Sequence, residues 1–143
     1  MQQSKEKNKP CDVLLIDHDI DEHFLLESSL GEIGLNKKLR SFNSGRTAIN
    51  YLDSLFRNDF PALIIVDFNM PLMNGREVLQ YLKYTYRYAR IPVIVHSTKM
   101  TECIKCDLME IGAVACFRKT FCMKELKIYL AALAIIFDNQ IYR

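Results

Sequence analysis

Ala62-Leu63-Ile64-Ile65-Val66-Asp67-Phe68-Asn69-Met70-Pro71-Leu72-Met73-Asn74-Gly75 decides how this chain is read. The apolar run at its start is rich in β-branched residues, the composition of a strand buried on both faces. A carboxylate that ends such a strand stands at the rim of a sheet rather than in a core. Pro71 and Gly75 then stop the strand and bend the loop. From these residues alone Asp67 can be a nucleophile, a metal ligand or the cap of the next helix.

Similar apolar runs occur at Val13 to Ile16 and Ile91 to Val95, with weaker strands expected at Leu39 to Phe42 and Ala113 to Phe117. Stretches of helical period separate them. Leu26, Leu30 and Ile33 mark a first helix, Ala48, Leu52, Leu55 and Phe56 a second, and Val78, Leu79 and Leu82 a short third. Ile104, Leu108 and Ile111 mark a fourth, and Leu126, Leu130, Leu133 and Phe137 a fifth that begins near Met123. Five strands alternating with five helices predict a doubly wound α/β domain.

With 143 residues, half of them hydrophobic, the chain suits one compact domain. The expected limits are a polar tail over 1–10, the domain over 11–137 and a short tail over 138–143. Net charge is +2 and the basic residues are spread, so no nucleic-acid surface is expected. The polar start lacks a signal peptide's apolar region, and the run from Leu130 to Phe137 is too short for a membrane span. A soluble, cytoplasmic protein is expected. Five cysteines without framework spacing read as free thiols in a reducing compartment.

In a doubly wound sheet, ligands bind at the carboxyl ends of the strands, where the strand order reverses. Those ends carry Asp17, His18 and Asp19 after the first strand and Asp67 after the third. Ser97 and Thr98 follow the fourth and Lys119 the fifth. Carboxylates can hold a hard cation, a hydroxyl can donate to a phosphoryl oxygen, and a lysine can neutralise charge.

Leu15-Ile16-Asp17, Asp67 to Gly75, Pro92 to Ser97, Gly112-Ala113 and Lys119 together resemble the response-regulator receiver domain of two-component signalling. The resemblance covers roughly residues 11 to 137, and four motifs lie at the right strand ends in order. It implies a flavodoxin-like fold with strand order 2-1-3-4-5. It also implies that Asp67 takes a phosphoryl group from a phosphohistidine on a sensor kinase or a histidine phosphotransfer protein. Asp17, Asp67 and the backbone carbonyl of Asn69 would then hold Mg²⁺. Lys119 would offset the developing charge, and Ser97 would bond the new phosphoryl oxygen, with Thr98 as its neighbour. The output would be changed contacts with a downstream protein, through the face of the fourth helix, fifth strand and fifth helix. Catalysis would be limited to phosphorylation and dephosphorylation of Asp67 itself.

Three residues depart from the family pattern. His18 stands where a second metal-binding acid is usual, so Mg²⁺ binding should weaken, with Mn²⁺ as the alternative ion. Thr120 replaces the proline after the lysine, so the Lys119-Thr120 bond is expected to be trans, because a cis bond without proline costs roughly 2.5–4 kcal/mol. Cys116 takes the place of an aromatic switch residue, with Phe117 on the opposite side of the strand.

The remaining features have plainer readings. Cys103-x-x-Cys106 is expected to be packing or surface thiols, since no second pair completes a zinc site. Asp19, Glu22 and His23 are read as complementing a helix dipole rather than joining His18 on a metal. His96 is read as a strand-end histidine with a satisfied hydrogen bond. Tyr81, Tyr84, Tyr86 and Tyr88, among Lys83, Arg87 and Arg90, are read as a solvated helix end and loop. Ile128, Ala132, Ile135 and Ile136 give the last helix a second apolar face, which predicts a homodimer or a docked partner.

Two rivals stand beside the phosphorylated receiver. One is a pseudo-receiver that binds without phosphoryl transfer, favoured by His18. The other is an enzyme acting on a small molecule. Against that reading, the chain has no phosphate-cradling Gly-rich loop and no acid two residues after Asp67.

Overall fold

Each apolar run forms a strand, and all pairings are parallel: β1 (Val13–Ile16), β2 (Leu39–Phe42), β3 (Leu63–Asp67), β4 (Val93–Ser97) and β5 (Ala115–Arg118). The spatial order is β2-β1-β3-β4-β5, as expected for the flavodoxin-like topology. β1 pairs Val13 to Ile16 with Leu63 to Val66 of β3, and the winding direction reverses between these two strands. This computed structural model describes residues 9–32, 34, 37–119, 131–132 and 134–135.

Four helices connect the strands among the described residues: α1 (Ile20–Glu32), α2 (Gly45–Asp53), α3 (Gly75–Tyr84) and α4 (Glu102–Ile111). Their starts are set by side chains that satisfy amides left open in the first turn. Ser44 accepts the Thr47 amide, Thr101 accepts the Ile104 amide, and Asn74 forms a reciprocal capping box with Glu77. The expected fifth helix, with Leu126, Leu130, Leu133, Phe137 and the second face of Ile128 and Ile136, lies outside the described residues. Of that stretch only 131, 132, 134 and 135 are described, and all four are helical.

Alternation along the strands divides the core in two, because successive side chains point to opposite faces. Leu14, Ile16, Ile64, Val66, Val93, Val95 and Cys116 join the larger cluster, which α2, α3 and α4 cover. Val13, Leu15, Leu63, Ile65 and Ile94 join the smaller one with Leu26 and Leu30 of α1 and the half-buried Phe117. Cys116 and Phe117 therefore face opposite sides of β5, and Cys116 is a core thiol.

Two expectations about apolar faces are corrected. Phe56 is 81% exposed, because α2 ends at Asp53 and Phe56 leads into a 3-10 turn at Arg57–Asp59; Tyr51 fills the inner face instead. Tyr88 is a core residue, unlike exposed Tyr84 and Tyr86: its hydroxyl bonds Asp53 and its ring lies 5.4 Å from Phe60. Lys83 also turns inward, donating to the carbonyls of Ala89 and Ile91 at 3.1 and 2.8 Å, and so ties the end of α3 to the start of β4.

The loop from β3 into α3 is held by one close approach. The Gly75 amide donates to Phe68 O at 3.0 Å, and a Cβ on Gly75 would lie 2.4 Å from Asp67 O and 2.7 Å from Phe68 Cα. Neither neighbour can give way, since both are backbone of the strand end. Gly75→Ala should therefore destabilise by roughly 1–3 kcal/mol, as overpacked sites do. Gly31, inside α1 with nothing within 4 Å, supplies the contrast: Gly31→Ala should stabilise by roughly 0.4–1 kcal/mol. Urea unfolding of both variants checks the pair, which predicts opposite signs.

Candidate functional site

The alternation that divides the core also assembles the site. Asp17, Asp67, His96 and Lys119 each lie two residues beyond a member of the smaller cluster's face, namely Leu15, Ile65, Ile94 and Phe117. Four adjacent strand ends thus aim one side chain each to the same side of the sheet. Asp17 and Asp67 are only 4% and 3% exposed.

Asp17 is the most heavily bonded. Its Oδ2 accepts from Lys119 Nζ at 2.7 Å and pairs with His96 Nε2 at 3.1 Å, while Oδ1 accepts the Asp19 amide at 3.0 Å. Asp67 is held more loosely. Its Oδ1 accepts the Asn69 amide at 3.2 Å, and its Oδ2 lies 3.4 Å from both Lys119 Nζ and His18 Nδ1. Glu22 Oε1 completes the surroundings of Lys119 at 4.0 Å.

Ser97, fully buried, comes from the other face of β4. Its hydroxyl oxygen accepts from Asn69 Nδ2 at 3.0 Å and from the Lys99 amide at 3.3 Å. With both lone pairs occupied, the hydroxyl proton is the part of Ser97 left to donate. Thr98 is exposed beside it and makes no hydrogen bond to these side chains among the described residues.

Unequal bonding drives the two carboxyls apart. Burial pushes Asp17 up, but hydrogen bonds from His96, Lys119 and the Asp19 amide outweigh it and hold the group at about 2. Burial raises Asp67, and the Asp17 charge raises it further against the opposing pull of Lys119 and the Asn69 amide. Burial alone would lower Lys119, yet its bond to Asp17 and the charges of Asp17 and Asp67 raise it. One lysine for two buried carboxylates leaves a deficit of positive charge.

A divalent ion would remove that deficit, and the donor set fits one. Asp17, His18 and Asp67 each offer an atom, all within 4.8 Å of one another, and the Asn69 carbonyl follows on the same loop. Asp19, just before α1, and His23, within it, do not join them. Asp19 accepts the Asp21 amide, and His23 is engaged by Ser41 at 2.7 Å and Glu27 at 2.9 Å. Cys103 and Cys106 are exposed free thiols. The Lys119-Thr120 bond lies outside the described residues. The sequence reading gave His96 a satisfied hydrogen bond but missed its partner, Asp17.

An aspartate at the switch point of a five-stranded parallel sheet, flanked by a lysine and a buried hydroxyl, defines an α/β signalling domain of the receiver type. The sequence model of the response regulator receiver domain matches residues 13–131, and the chain belongs to that family. It is 31% identical over 102 residues to response regulator Rcp1 of Synechocystis sp. (strain ATCC 27184 / PCC 6803 / Kazusa), covering 69% of each chain. The Mn²⁺-bound form of response regulator Rcp1 superposes with a TM-score of 0.73 at 26% identity, over 87% of this chain and 91% of that one. The phosphorylated cyanobacterial phytochrome response regulator RcpA superposes with a TM-score of 0.72 at 23% identity, over 85% and 89%. Two longer relatives are matched over 46% of their own length. The chain is thus a receiver, the module of phosphorylation-based two-component signalling. No helix among the described residues is long and apolar enough to cross a membrane.

The split between the carboxyls has opposite consequences for stability. Asp17, held below its ordinary value of 3.8, contributes about 2 kcal/mol that is present above that value and lost as pH falls through about 2. Asp67 is raised, so its ionisation weakens the fold above the ordinary carboxyl value and protonation restores the loss. Thermal melts in EDTA should show Asp67→Asn more stable than the parent at pH 7, with the gap closing in acid. Asp17→Asn should be less stable at pH 7, because Lys119 and His96 lose their charged acceptor.

Proposed function

We propose that Asp67 accepts a phosphoryl group from a phosphohistidine on a sensor kinase or histidine phosphotransfer protein. The observation that best supports this is the convergence of Lys119 and His18 on Oδ2 of a buried Asp67, near the Ser97 hydroxyl, whose proton is left to donate. An Asp67 carboxylate oxygen attacks phosphorus, and the bond from phosphorus to the histidine nitrogen breaks as the acyl phosphate forms. The histidine leaves with the electron pair.

Asp17, Asp67 and the Asn69 carbonyl would hold a divalent cation, Mg²⁺ weakly or Mn²⁺ in its place. The cation supplies positive charge where the transferred phosphoryl group gathers negative charge. Lys119, fixed by Asp17 at 2.7 Å, supplies charge from the other side. Ser97 donates its proton to a phosphoryl oxygen, with Thr98 beside the incoming group. Because Ser97 also holds the Lys99 amide, its movement pulls the loop from β4 to α4 and reshapes the surface that α4 and β5 share.

The partner docks over the same loops. Ile20 and Phe24 at the start of α1 and Leu72 in the loop after β3 are exposed apolar residues next to the chemistry. Leu72 adopts φ +68, a left-handed conformation that a leucine holds only at a cost. The output is a changed protein contact, with a downstream target or a second copy through the α4 and β5 face extended by the expected fifth helix. Nucleic acid and membrane are not among the proposed partners, and the proposed location is the cytoplasm.

Intact-mass measurement after exposure to acetyl phosphate or phosphoramidate with Mg²⁺ or Mn²⁺ tests the reading. A single acid-labile phosphoryl adduct is expected, and it should vanish in Asp67→Ala. Lys119→Ala should slow its formation at least tenfold. No adduct with either metal would reject phosphoryl transfer in favour of a receiver that signals by binding alone.

A further inference from the structure

His18 replaces the one oxygen ligand that a hard-cation site can least spare, and the hydrogen bonds around it determine what remains. Asp17 Oδ2 is occupied by Lys119 and His96, and Asp67 Oδ1 is occupied by the Asn69 amide. Two carboxylate oxygens face His18: Asp17 Oδ1, which also accepts the Asp19 amide, and Asp67 Oδ2, which also lies 3.4 Å from Lys119 Nζ. His18 Nδ1 lies 3.4 Å from Asp67 Oδ2 and 3.9 Å from Asp17 Oδ1. An imidazole nitrogen and two carboxylate oxygens would supply three donors to a cation, on the side where His18 is 52% solvent-accessible.

Donor chemistry separates the ions. Imidazole suits zinc and its first-row neighbours, whereas carboxylate, carbonyl and water suit magnesium, which prefers oxygen at every position. His18 Nδ1 lies within reach of both carboxylates, so a small shift of this half-exposed side chain would bring all three donors onto one ion. The surrounding shell is also that of a built site. His96 and Lys119 fix the Asp17 carboxylate, and Asp67, 3% exposed, has no short hydrogen bond to the oxygen that faces His18.

We propose that Asp17, His18 and Asp67 form a site selective for a late first-row divalent ion, Zn²⁺ being the probe, over Mg²⁺. Selectivity resides in His18. Where Asp67 is the phosphoryl acceptor, which rests on the function proposed above, an ion held by His18 would share the carboxylate that reacts.

The test is direct binding to the unphosphorylated 143-residue chain, in a Cys103→Ser/Cys106→Ser background that removes the exposed thiols as rival zinc ligands. ZnCl₂ is titrated against a competing chelating dye and MgCl₂ by calorimetry. The parent should bind Zn²⁺ at least 100-fold more tightly than Mg²⁺. His18→Ala should weaken Zn²⁺ at least tenfold and leave Mg²⁺ unchanged, while His18→Asp should strengthen Mg²⁺ at least tenfold and narrow the ratio. Circular dichroism confirms that these variants of a half-exposed residue remain folded. Unchanged Zn²⁺ affinity in His18→Ala, or unchanged Mg²⁺ affinity in His18→Asp, overturns the proposal. Since no phosphoryl donor is present, a failed acyl-phosphate measurement leaves this result standing, and the reverse also holds.

Discussion

Two carboxylates buried side by side, Asp17 and Asp67, share a single lysine for counter-charge among the described residues, and the rest of the site answers to that imbalance. Two like charges in a medium less polarisable than water raise the energy of both, so one must take most of the available stabilisation. Asp17 takes it, through Lys119, His96 and the Asp19 amide. Asp67 is held by longer contacts, its Oδ2 3.4 Å from both Lys119 Nζ and His18 Nδ1, and its pKa is raised. The well-bonded member is suited to anchor, and the more loosely held one to react or to bind a cation. Function here follows from an electrostatic debt that the fold leaves open.

That debt can persist only because the packing around it is firm. β1, β3 and β4 are buried through their whole lengths, and the two carboxylates extend strands whose register is fixed on both faces. Gly75 then lets α3 start against the backbone of Asp67 itself, so Asp67 is held beside Asp17.

The strands were legible because a parallel sheet buried on both faces writes itself as uninterrupted apolar runs, and Ala62 to Val66 is such a run, whereas their spatial order came only from the resemblance to the receiver family. Asp17, Asp67, Ser97 and Lys119 were legible as strand ends. Their pairwise partners were not, because helical and strand periods say which face a side chain takes but not how far its tip reaches. Asn69 reaching Ser97 and Lys83 reaching the carbonyls before β4 depend on rotamers that only packing selects. Phe56 was misassigned because the helical period carries no signal for its own end at Asp53, and Tyr88 because its neighbours Tyr84 and Tyr86 are exposed.

His96 shows what closer reading of period two could have supplied. It stands two residues after Ile94, as Asp17 follows Leu15 and Asp67 follows Ile65, so one parity rule applied to three adjacent strands already places all three on one side. A histidine beside two carboxylates then has an evident partner. The same rule separates the two histidines by task. His96 is buried beneath Asp17 and steadies it, whereas His18, next in sequence to Asp17 and half-exposed, lies over the open side of both carboxylates. A substitution at 96 would remove a partner of Asp17 Oδ2; one at 18 would change the donor atom that faces Asp67 Oδ2.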